Sequence, residues 1–311
     1  MRILFMGHQK WGCLALEALL KKGHKIVGVV TERDSFDDAS YKALAEYGCY
    51  DSLKEFAKKQ GLQVYQPDDA NDAKFIKVVD GLAPELIVIV SYHTIIKKQL
   101  IEKYRIINAH GAPLPHYRGR APINWAIING EQKTGVTVHF IDEGVDTGPI
   151  ILQEMVGIGE NEAAIEVMRK TLPLYGKLVV EAVDRIEKGT VKRTPQDPYS
   201  GTYFPKRTAE DGLIDWGWDT QDLHNWIRAL TRPYPGAFTL YRGRKLFVWE
   251  SEIPKEKKRV SPIPGIVFGR TKEGGIKVST RDSFIILKSA QIEGEEEKAP
   301  AESVKIGDYL R

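Results

Sequence analysis

Short apolar runs alternate with segments of helical periodicity through the first half of the chain. The runs that predict β-strands are Ile3–Met6, Ile26–Val30, Val64–Tyr65 and Leu86–Val90. The segments between them that predict helices are Leu14–Lys22, Leu53–Gln60 and Phe75–Leu82. The run Leu86–Val90 has no polar position, which is typical of a strand covered by helices on both faces. The pattern therefore predicts a doubly wound α/β domain around a parallel sheet.

The pattern continues beyond this sheet and then changes character. We expect strands at Ile106–Asn108, Val136–Phe140 and Ile150–Gln153, and then an amphipathic helix from about Glu162 to Glu187. These elements place the first domain at residues 1–188. Residues 189–206 are rich in Thr, Pro, Asp, Ser and Gly and carry no period, so we expect a linker there.

Residues 207–311 predict one helix and several short strands, which is the pattern of a small β-barrel. The expected elements are the helix Asp219–Leu230 and the strands Ala237–Tyr241, Lys245–Trp249, Gly265–Arg270, Gly275–Thr280 and Ser283–Ser289.

The composition supports two folded domains. Of the 311 residues, 42% are hydrophobic and 28% are charged, which is enough apolar material for a core in each domain. The 45 Lys and Arg residues against 42 Asp and Glu residues leave a net charge of +3. This balance does not indicate a dedicated nucleic-acid-binding protein, although it leaves room for a local basic face.

The two cysteines, Cys13 and Cys49, belong to no CxxC motif or Cys/His cluster, which argues against a disulfide framework and a structural zinc site. The amino-terminal sequence has a four-residue apolar run instead of the long apolar core of a signal peptide. No apolar stretch approaches the roughly 18 residues of a membrane span. These features predict a cytoplasmic protein that does not enter a membrane.

The stretch from Ile106 to Gly130 carries the first candidate chemistry. On an extended chain Asn108 and His110 point to the same side, at the C-terminal end of a strand where open α/β sheets bind ligands. The following loop contains three prolines and two glycines, which favour a stiff path that is not helical. It presents Arg118 and Arg120 as candidate ligands for an anion.

A second loop, framed by glycines, follows the strand expected at 136–140. Asp146 lies between Gly144 and Gly148, which allow a tight bend and the close approach of a ligand. A lone Asp in such a loop more often caps a turn, but the neighbouring Asn/His pair makes a functional role equally reasonable. The turn Gly7–Gly12 lacks the GxGxxG and GK[ST] patterns and so predicts no nucleotide site.

Together these loops resemble a known signature. The segment INAHGAPLPHYRGRAPINWAIINGEQKTGVTVHFIDEGVDTGPII is similar to that of the formyltransferases that use 10-formyltetrahydrofolate, a family including methionyl-tRNA formyltransferase and the sugar-amine formyltransferases. The segments RTAEDGLIDW, LHNWIRAL and PYPGAF resemble the start of the family's C-terminal domain. The resemblance covers nearly the whole chain. It implies a Rossmann-like formyltransferase domain at 1–188 and, at 207–311, a small barrel related to the oligonucleotide/oligosaccharide-binding fold.

The resemblance implies a role for three residues. Asn108 would donate its side-chain amide to the oxyanion that forms when an amine attacks the formyl carbon. His110 would hydrogen-bond to that oxyanion or carry the proton, and Asp146 would orient His110 and take the proton from the amine. This chemistry needs no metal. The other histidines of this region match no catalytic position of the family, so structural or surface roles are expected for His8, His116 and His139.

The resemblance also implies where the two substrates lie. The formyl donor, 10-formyltetrahydrofolate, is expected along the end of the strand Leu86–Val90 and along the loop 141–146. The residues expected at the donor are Ser91, Tyr92, His93, Asp142 and Gly144. The residues expected at the acceptor are Tyr117, Arg118 and Arg120.

Two kinds of amine compete as the formyl acceptor. A tRNA acceptor needs phosphate contacts, usually from a basic loop after the second strand and a basic face on the barrel. Residues 32–52 instead contain six acidic and two basic residues, which favours a nucleotide-linked amino sugar. The C-terminal signature is also closer to the transformylase for UDP-4-amino-4-deoxy-arabinose.

Two alternatives to the amino-sugar acceptor stay open. Basic residues on the predicted barrel keep initiator methionyl-tRNA as the first alternative: Arg242, Arg244, Lys245 and Lys255–Arg259. The second alternative is a folate-binding relative without catalysis, which the intact Asn108, His110 and Asp146 disfavour.

Overall fold

The computed structural model describes residues 1–34, 39–256 and 258–311, with the backbone alone for residues 39–41. The chain divides into two compact units. The first unit consists of Met1–Pro122, Lys133–Gly157 and Val167–Pro205, and the second of Ile123–Gln132, Ile158–Glu166 and Lys206–Arg311. Two short segments from within residues 1–188 therefore belong to the second unit, and residues 189–205, expected as a linker, belong to the first.

The first unit is built on a seven-stranded sheet. The strands of this unit are β1 (Arg2–Gly7), β2 (Lys25–Thr31), β3 (Val64–Tyr65), β4 (Leu86–Val90), β5 (Ile106–His110), β6 (Arg118–Gly119), β7 (Lys133–Phe140), β8 (Ile150–Gly157) and β9 (Tyr203–Phe204). The order in the sheet is β3-β2-β1-β4-β5-β7-β8, while β6 and β9 form a separate two-stranded parallel pair. The first five strands are parallel, whereas β7 and β8 are antiparallel to their neighbours, so the sheet is mixed.

Helices cover both faces of this sheet, which confirms the predicted α/β class. The helices of this part of the chain are α1 (Gln9–Lys21), α2 (Ala39–Glu46), α3 (Leu53–Lys59), α4 (Ala73–Leu82), α5 (Lys98–Ile101) and α7 (Ala164–Glu187), while α6 (Pro122–Ile128) belongs from Ile123 onwards to the second unit. Alternate strand residues enter two separate cores: Val88 packs in the cluster that contains Leu16 and Leu178, and Ile87 packs in the cluster that contains Phe75. The all-apolar sequence of β4 is thus explained by burial on both faces.

The topology creates a crevice at the carboxyl ends of the parallel strands. The chain leaves β1 towards β2 on one side, whereas β4 continues to β5 on the other, so the loops after β1 and β4 diverge. The turn after β1 begins at His8, and the loop after β4 begins at Ser91. Open α/β sheets bind ligands at such a switch point.

The second unit contains a five-stranded antiparallel sheet, which confirms a C-terminal β domain. Its remaining elements are a 3₁₀ turn (Glu210–Gly212), α8 (Thr220–Leu230), β10 (Ala237–Tyr241), β11 (Arg244–Glu252), β12 (Val267–Arg270), β13 (Ile276–Ser279), β14 (Phe284–Ile292) and α9 (Pro300–Ser303). The strand order is β10-β11-β14-β13-β12.

Buried polar side chains of α8 explain why segments distant in sequence join this unit. Arg228 donates from Nη1 to the carbonyl oxygens of Gly159 (3.2 Å) and Glu162 (2.8 Å). Asn124 donates to the Ala229 carbonyl oxygen at 2.7 Å. The polar residues of the LHNWIRAL segment therefore serve packing within the unit.

Among the described residues, the helices are all too short or too polar to traverse a bilayer.

Candidate active site

The structure brings the three residues expected to be catalytic together. Asn108 and His110 lie two positions apart on β5, and Asp146 lies in the loop between β7 and β8 with a left-handed backbone (φ 54°). The His110 Nδ1 atom lies 3.6 Å from Asp146 Oδ2, and the Asn108 amide nitrogen donates to Asp146 Oδ1 at 3.4 Å. One carboxylate therefore contacts both side chains of the strand end.

The surroundings of Asp146 hold its carboxylate in the charged form. Its Oδ2 accepts the Gly119 backbone N–H at 2.9 Å. Burial alone would raise the pKa of this carboxyl, but the charge of His110 and the Gly119 N–H outweigh burial and lower the pKa of Asp146 well below its usual range. A carboxylate of this kind orients and stabilises positive charge better than it accepts a proton.

The second contact of His110 fixes the orientation of its ring. Its Nε2 lies 2.8 Å from the Tyr117 carbonyl oxygen, so this nitrogen carries a hydrogen and donates it. The other nitrogen, Nδ1, is the one that faces Asp146. The ring is buried, so both contacts form largely away from water.

His139 belongs to the same cluster, although the sequence placed it outside. It is the register partner of Asn108 across the antiparallel pair β5 and β7. Its Nε2 lies 3.2 Å from the Asn108 amide nitrogen and 3.5 Å from Asp146 Oδ1. Its Nδ1 lies 2.8 Å from the Phe140 carbonyl oxygen, so a neutral ring donates from Nδ1 and accepts the Asn108 N–H at Nε2. The sign of this role in the sequence was a histidine within the apolar run 136–140, which was expected to form a strand.

Two glycines shape the loops around this cluster. A Cβ atom at Gly148 would lie 1.8 Å from the Phe140 carbonyl oxygen, and one at Gly119 would lie 2.4 Å from the Phe204 carbonyl oxygen. Gly119 also has φ of 94°, a conformation that favours glycine. The close approach that glycine permits lets the Gly119 N–H reach Asp146.

Arg118 is a structural cation. Its side chain is almost fully buried, with a residue exposure of 1%. It donates to Gln196 Oε1 at 2.7 Å and to the Tyr203 hydroxyl at 3.1 Å. Because these groups occupy its guanidinium, Arg118 does not present its charge to an acceptor, contrary to the expectation from the sequence.

Gln196 extends this contact to the loop that contains Asp146. Its side-chain nitrogen donates to the carbonyl oxygens of Asp146 (2.8 Å) and Gly148 (2.7 Å), while its oxygen accepts from Arg118. Residues expected as a linker therefore build the support of Asp146.

The other two residues expected at the acceptor differ in exposure. Tyr117 is buried, stacks on Phe204 with ring centroids 5.1 Å apart, and offers its carbonyl oxygen to His110. Arg120 is exposed and donates from Nη2 to the His93 carbonyl oxygen at 3.1 Å. Arg120 is thus the cation of this loop that solvent and ligands can reach.

The loop after β4 lies in the crevice at the switch point. Ser91 has a left-handed backbone (φ 56°), Tyr92 is half-buried and His93 is exposed. Glu32 accepts both the His93 backbone N–H and the His93 ring, each at 2.8 Å. Burial would raise the pKa of Glu32, but its contacts with His93 lower it overall.

His8 lies at the same edge, after β1. Its ring is fully buried, and its Nδ1 lies 3.4 Å from the Thr31 hydroxyl oxygen. The ring centroids of His8 and His93 are 6.1 Å apart. Burial lowers the pKa of His8, which favours the neutral form of the ring.

Asp142 and Gly144 organise the turn that leads to Asp146. The Asp142 carboxylate accepts the Thr147 hydroxyl and the Gly144 N–H, the latter at 3.1 Å. A Cβ atom at Gly144 would lie 2.1 Å from the Thr147 hydroxyl oxygen. The contacts of these two residues thus fix the shape of the turn.

A separate cluster of His24, Asp184 and Glu187 has metal-ligand side chains within reach of one another. Each carboxylate already has a cation: Lys22 lies 3.1 Å from Asp184, and the Met1 ammonium lies 2.6 Å from Glu187. The negative charge that would attract a metal ion is thus compensated, and we assign no ion to this cluster.

Comparison with known proteins identifies the family. The family model described as formyl transferase matches residues 1–183, and the model of the formyl transferase C-terminal domain matches residues 206–305. Methionyl-tRNA formyltransferases from Ruminiclostridium cellulolyticum and Clostridioides difficile are each 34% identical, over 100% of this chain and 96% of theirs.

Solved structures share the fold. The N-formyltransferase from Helicobacter canadensis, in complex with folinic acid and dTDP-3-aminofucose, has a TM-score of 0.66 at 24% identity over 93% of this chain and 98% of its own. The sugar 3N-formyl transferase WlaRD has a TM-score of 0.65 at 22% identity over 95% and 99%. With both domain models matched and full-length relatives at 34% identity, the chain belongs to the formyl transferase family and is a formyltransferase enzyme.

Proposed function

We propose that this enzyme transfers a formyl group from 10-formyltetrahydrofolate to a primary amine at the cluster of Asn108, His110 and Asp146. The convergence of these three side chains at the end of β5 carries the proposal. An amide donor, an imidazole and a buried carboxylate are the groups that acyl transfer to an amine requires.

The reaction proceeds by addition and elimination. The amine nitrogen forms a bond to the formyl carbon, and the carbonyl electrons move to oxygen, where the Asn108 amide donates to the oxyanion. The intermediate then loses its bond between carbon and N10, and the proton released by the amine reaches N10. We assign this proton transfer to His110, because its Nδ1 faces the Asp146 carboxylate, whereas the two ring nitrogens of His139 contact Phe140 and Asn108.

Asp146 serves this reaction as an anion. Its lowered pKa makes it a poor acceptor for the amine's proton, so we assign it the orientation of His110 and the stabilisation of the imidazolium. This replaces the role of proton acceptor that the resemblance implied.

The formyl donor is assigned to the crevice beside this cluster. The loop after β4, which contains Ser91, Tyr92 and His93, lies at the switch point of the sheet. Arg120 connects this loop to the loop that follows His110. A donor bound along residues 91–93 therefore lies next to the strand that carries Asn108.

Methionyl-tRNA is the acceptor that the full-length relatives support, since several of them at 34% identity carry that name. The acidic segment 32–52 does not oppose this assignment as strongly as its composition suggested. Asp34 accepts the hydroxyls of Tyr50 (2.5 Å) and Ser52 (2.7 Å), and Asp51 lies 3.6 Å from Lys10. Asp37 and Asp38 of this segment, and Lys257 of the basic run 255–259, lie outside the described residues.

An amino sugar linked to a nucleotide is the second candidate acceptor. The observation in its favour is that basic residues of the C-terminal sheet are paired: Arg244 lies 2.7 Å from Glu295, and Arg242 lies 3.7 Å from Asp308. Such pairing reduces the positive charge available to a phosphate backbone.

The test is turnover with 10-formyltetrahydrofolate and either initiator methionyl-tRNA or a set of nucleotide-linked amino sugars, with the product identified by mass. We expect an acceptor to gain the mass of one formyl group in place of hydrogen, and Asn108→Ala to abolish most of that product. Release of tetrahydrofolate with no formylated amine from either class would contradict the proposal. A protein that binds folate without any turnover would be the relative without catalysis.

A further inference from the structure

The loop of residues 91–97, here called the donor loop, has no regular structure and is held by groups outside it. It leaves β4 through Ser91 in a left-handed conformation and exposes the apolar side chain of Ile95, which is 67% accessible. A segment of this kind gains no order from its own backbone hydrogen bonds. Contacts with residues outside the loop therefore contribute to its conformation.

Glu32 supplies the strongest of these external contacts. One carboxylate oxygen accepts the His93 backbone N–H, and the other lies 2.8 Å from the ring Nδ1. Hydrogen bonds to an ionised acceptor are shorter and stronger than neutral ones. The Glu32 side chain is 25% exposed, so water screens this pair only in part.

Two further groups hold the same loop. Asn71, which is buried, donates to the Ile95 carbonyl oxygen at 2.9 Å and accepts the Lys97 N–H at 2.7 Å. Arg120 donates to the His93 carbonyl oxygen. Residues that follow β2, β3 and β6 thus fix the path of the donor loop.

The contact with Glu32 also sets the chemistry of the His93 ring. A hydrogen on Nδ1 faces the carboxylate, so a neutral ring keeps Nε2 as an acceptor. A reduced pterin carries N–H donors on its pyrimidine ring, and such an acceptor complements them.

We infer that Glu32 is a positioning residue for the formyl donor, acting through His93, with Asn71 holding the other end of the donor loop. The inference rests on the proposed function, because it takes residues 91–93 as the place where the folate binds. Glu32 touches no reacting atom in this assignment. Its loss changes the affinity for the donor and leaves the formyl-transfer step and the acceptor unaffected.

The experiment measures folinic acid binding by calorimetry and steady-state kinetics with 10-formyltetrahydrofolate at saturating acceptor. The variants are Glu32→Ala, Glu32→Gln and Asn71→Ala. The matched control is Glu85→Ala. Glu85 also accepts a backbone N–H (Arg2, 2.6 Å), but it precedes β4 and so lies at the amino ends of the strands, away from the crevice.

We expect Glu32→Ala to raise the Kd for folinic acid and the KM for the donor about 10-fold, the size expected for the loss of hydrogen bonds to a charged group. The kcat and the KM for the acceptor should stay within about twofold of the original enzyme, because the hydrogen bonds that Glu32 accepts come from His93, and the contact of Arg120 with the loop remains. Glu32→Gln should recover part of the loss, because its amide oxygen still accepts the His93 N–H. Asn71→Ala should also weaken the binding of the donor, whereas Glu85→Ala should leave it unchanged.

Two outcomes overturn the inference, and a third separates it from the proposed function. Unchanged donor affinity in Glu32→Ala would show that the loop does not need this contact. Equal losses in donor affinity, acceptor affinity and kcat, together with a lower Tm, would show a merely structural role. Failure of the unsubstituted enzyme to bind folinic acid at all would refute the donor assignment itself, and the inference with it.

Discussion

The Nε2 atom of His139 lies 3.2 Å from the side-chain nitrogen of Asn108, because the two residues are register partners on neighbouring antiparallel strands. The Asn108 amide has a second contact, with Asp146 Oδ1. Both of its hydrogens therefore have acceptors when no substrate is bound. The amide is held in one orientation, and His139 is one of the two groups that hold it.

Replacing His139 by Phe is expected to reduce kcat about 10-fold with little change in KM. The substitution keeps the ring volume but removes the acceptor for the Asn108 amide, and the loss of one positioning hydrogen bond has about this effect on a barrier. Steady-state kinetics on the identified acceptor provide the measurement. The exposed His116, changed to Phe, is the control and should keep its activity. An unchanged kcat in His139→Phe would show that His139 has a purely structural role.

Replacing Asn108 by Ala should lower kcat by about 10²–10³ and change KM much less, because an oxyanion donor acts chiefly in the transition state. Asn108→Asp should be worse than Ala, since a carboxylate repels the developing negative charge. The comparison of kcat with KM in the two variants checks this prediction. A change confined to KM would remove Asn108 from the role of oxyanion donor.

The stabilisation that Asp146 gives to the fold as a carboxylate should be lost under acidic conditions. Its pKa is lowered in the folded protein, so its contribution is complete above the pKa of about 3.9 in the unfolded chain and is lost as pH falls below that value. The difference in unfolding free energy between the original protein and Asp146→Asn should therefore shrink as pH falls below about 4. Denaturant titrations at each pH provide the measurement. A difference that does not shrink between about pH 4 and pH 2 would contradict the assignment of a low pKa.

The same variant tests the catalytic role of Asp146. Asp146→Asn should lower kcat by about 10²–10⁴, the range for the loss of a group that positions a proton-transfer residue, while the protein still folds. A kcat close to that of the unsubstituted enzyme would show that His110 is oriented without this carboxylate.

Gln196 should matter to both stability and catalysis, although it was expected in a linker. Gln196→Ala removes the side-chain donor to the Asp146 and Gly148 carbonyl oxygens and leaves the buried Arg118 with Tyr203 alone of its two side-chain acceptors, so a loss of about 1–3 kcal/mol in unfolding free energy is expected. A drop in kcat should accompany it, because the loop of Asp146 loses its support. Thermal unfolding and kinetics measure the two effects. The exposed Gln63, which donates to the neighbouring Val64 carbonyl oxygen, changed to Ala, should alter neither.

Periodicity located the main strands and helices because burial selects for the same pattern in sequence and in space. Leu86–Val90 is entirely apolar, and it is the strand buried on both faces. The direction of β7 and β8 could not be predicted this way, since an apolar run of that length fits a parallel or an antiparallel neighbour. The joining of Ile123–Gln132 and Ile158–Glu166 to the second unit depends on hydrogen bonds such as that of Asn124, which no local pattern encodes.

The placement of Asn108 and His110 side by side could be predicted, because spacing along one strand decides it. Contacts between distant segments were missed. His139 acquires its partners through the register of two strands, and Arg118 meets Gln196 and Tyr203 nearly 80 residues or more away in the chain. An arginine in a glycine-rich loop fits a ligand for an anion and a buried structural residue equally well, and only its contacts in the folded protein distinguish the two roles.

The dependence of turnover on salt should distinguish the two acceptors. For methionyl-tRNA, each phosphate that the enzyme neutralises adds about −0.7 to −0.9 to the slope of log affinity against log salt, so several contacts give a steep slope. A nucleotide sugar offers only a diphosphate and should give a shallow one. Arg120→Ala should reduce the slope by about 1 if this exposed guanidinium contacts a phosphate. Arg118→Ala should lower the stability of the fold and leave the slope unchanged, because this side chain is buried. The measurement is kcat/KM for each acceptor across a salt series. Efficient formylation of an amino-sugar nucleotide with a shallow slope, and none of methionyl-tRNA, would overturn the tRNA assignment and leave the formyl-transfer chemistry in place.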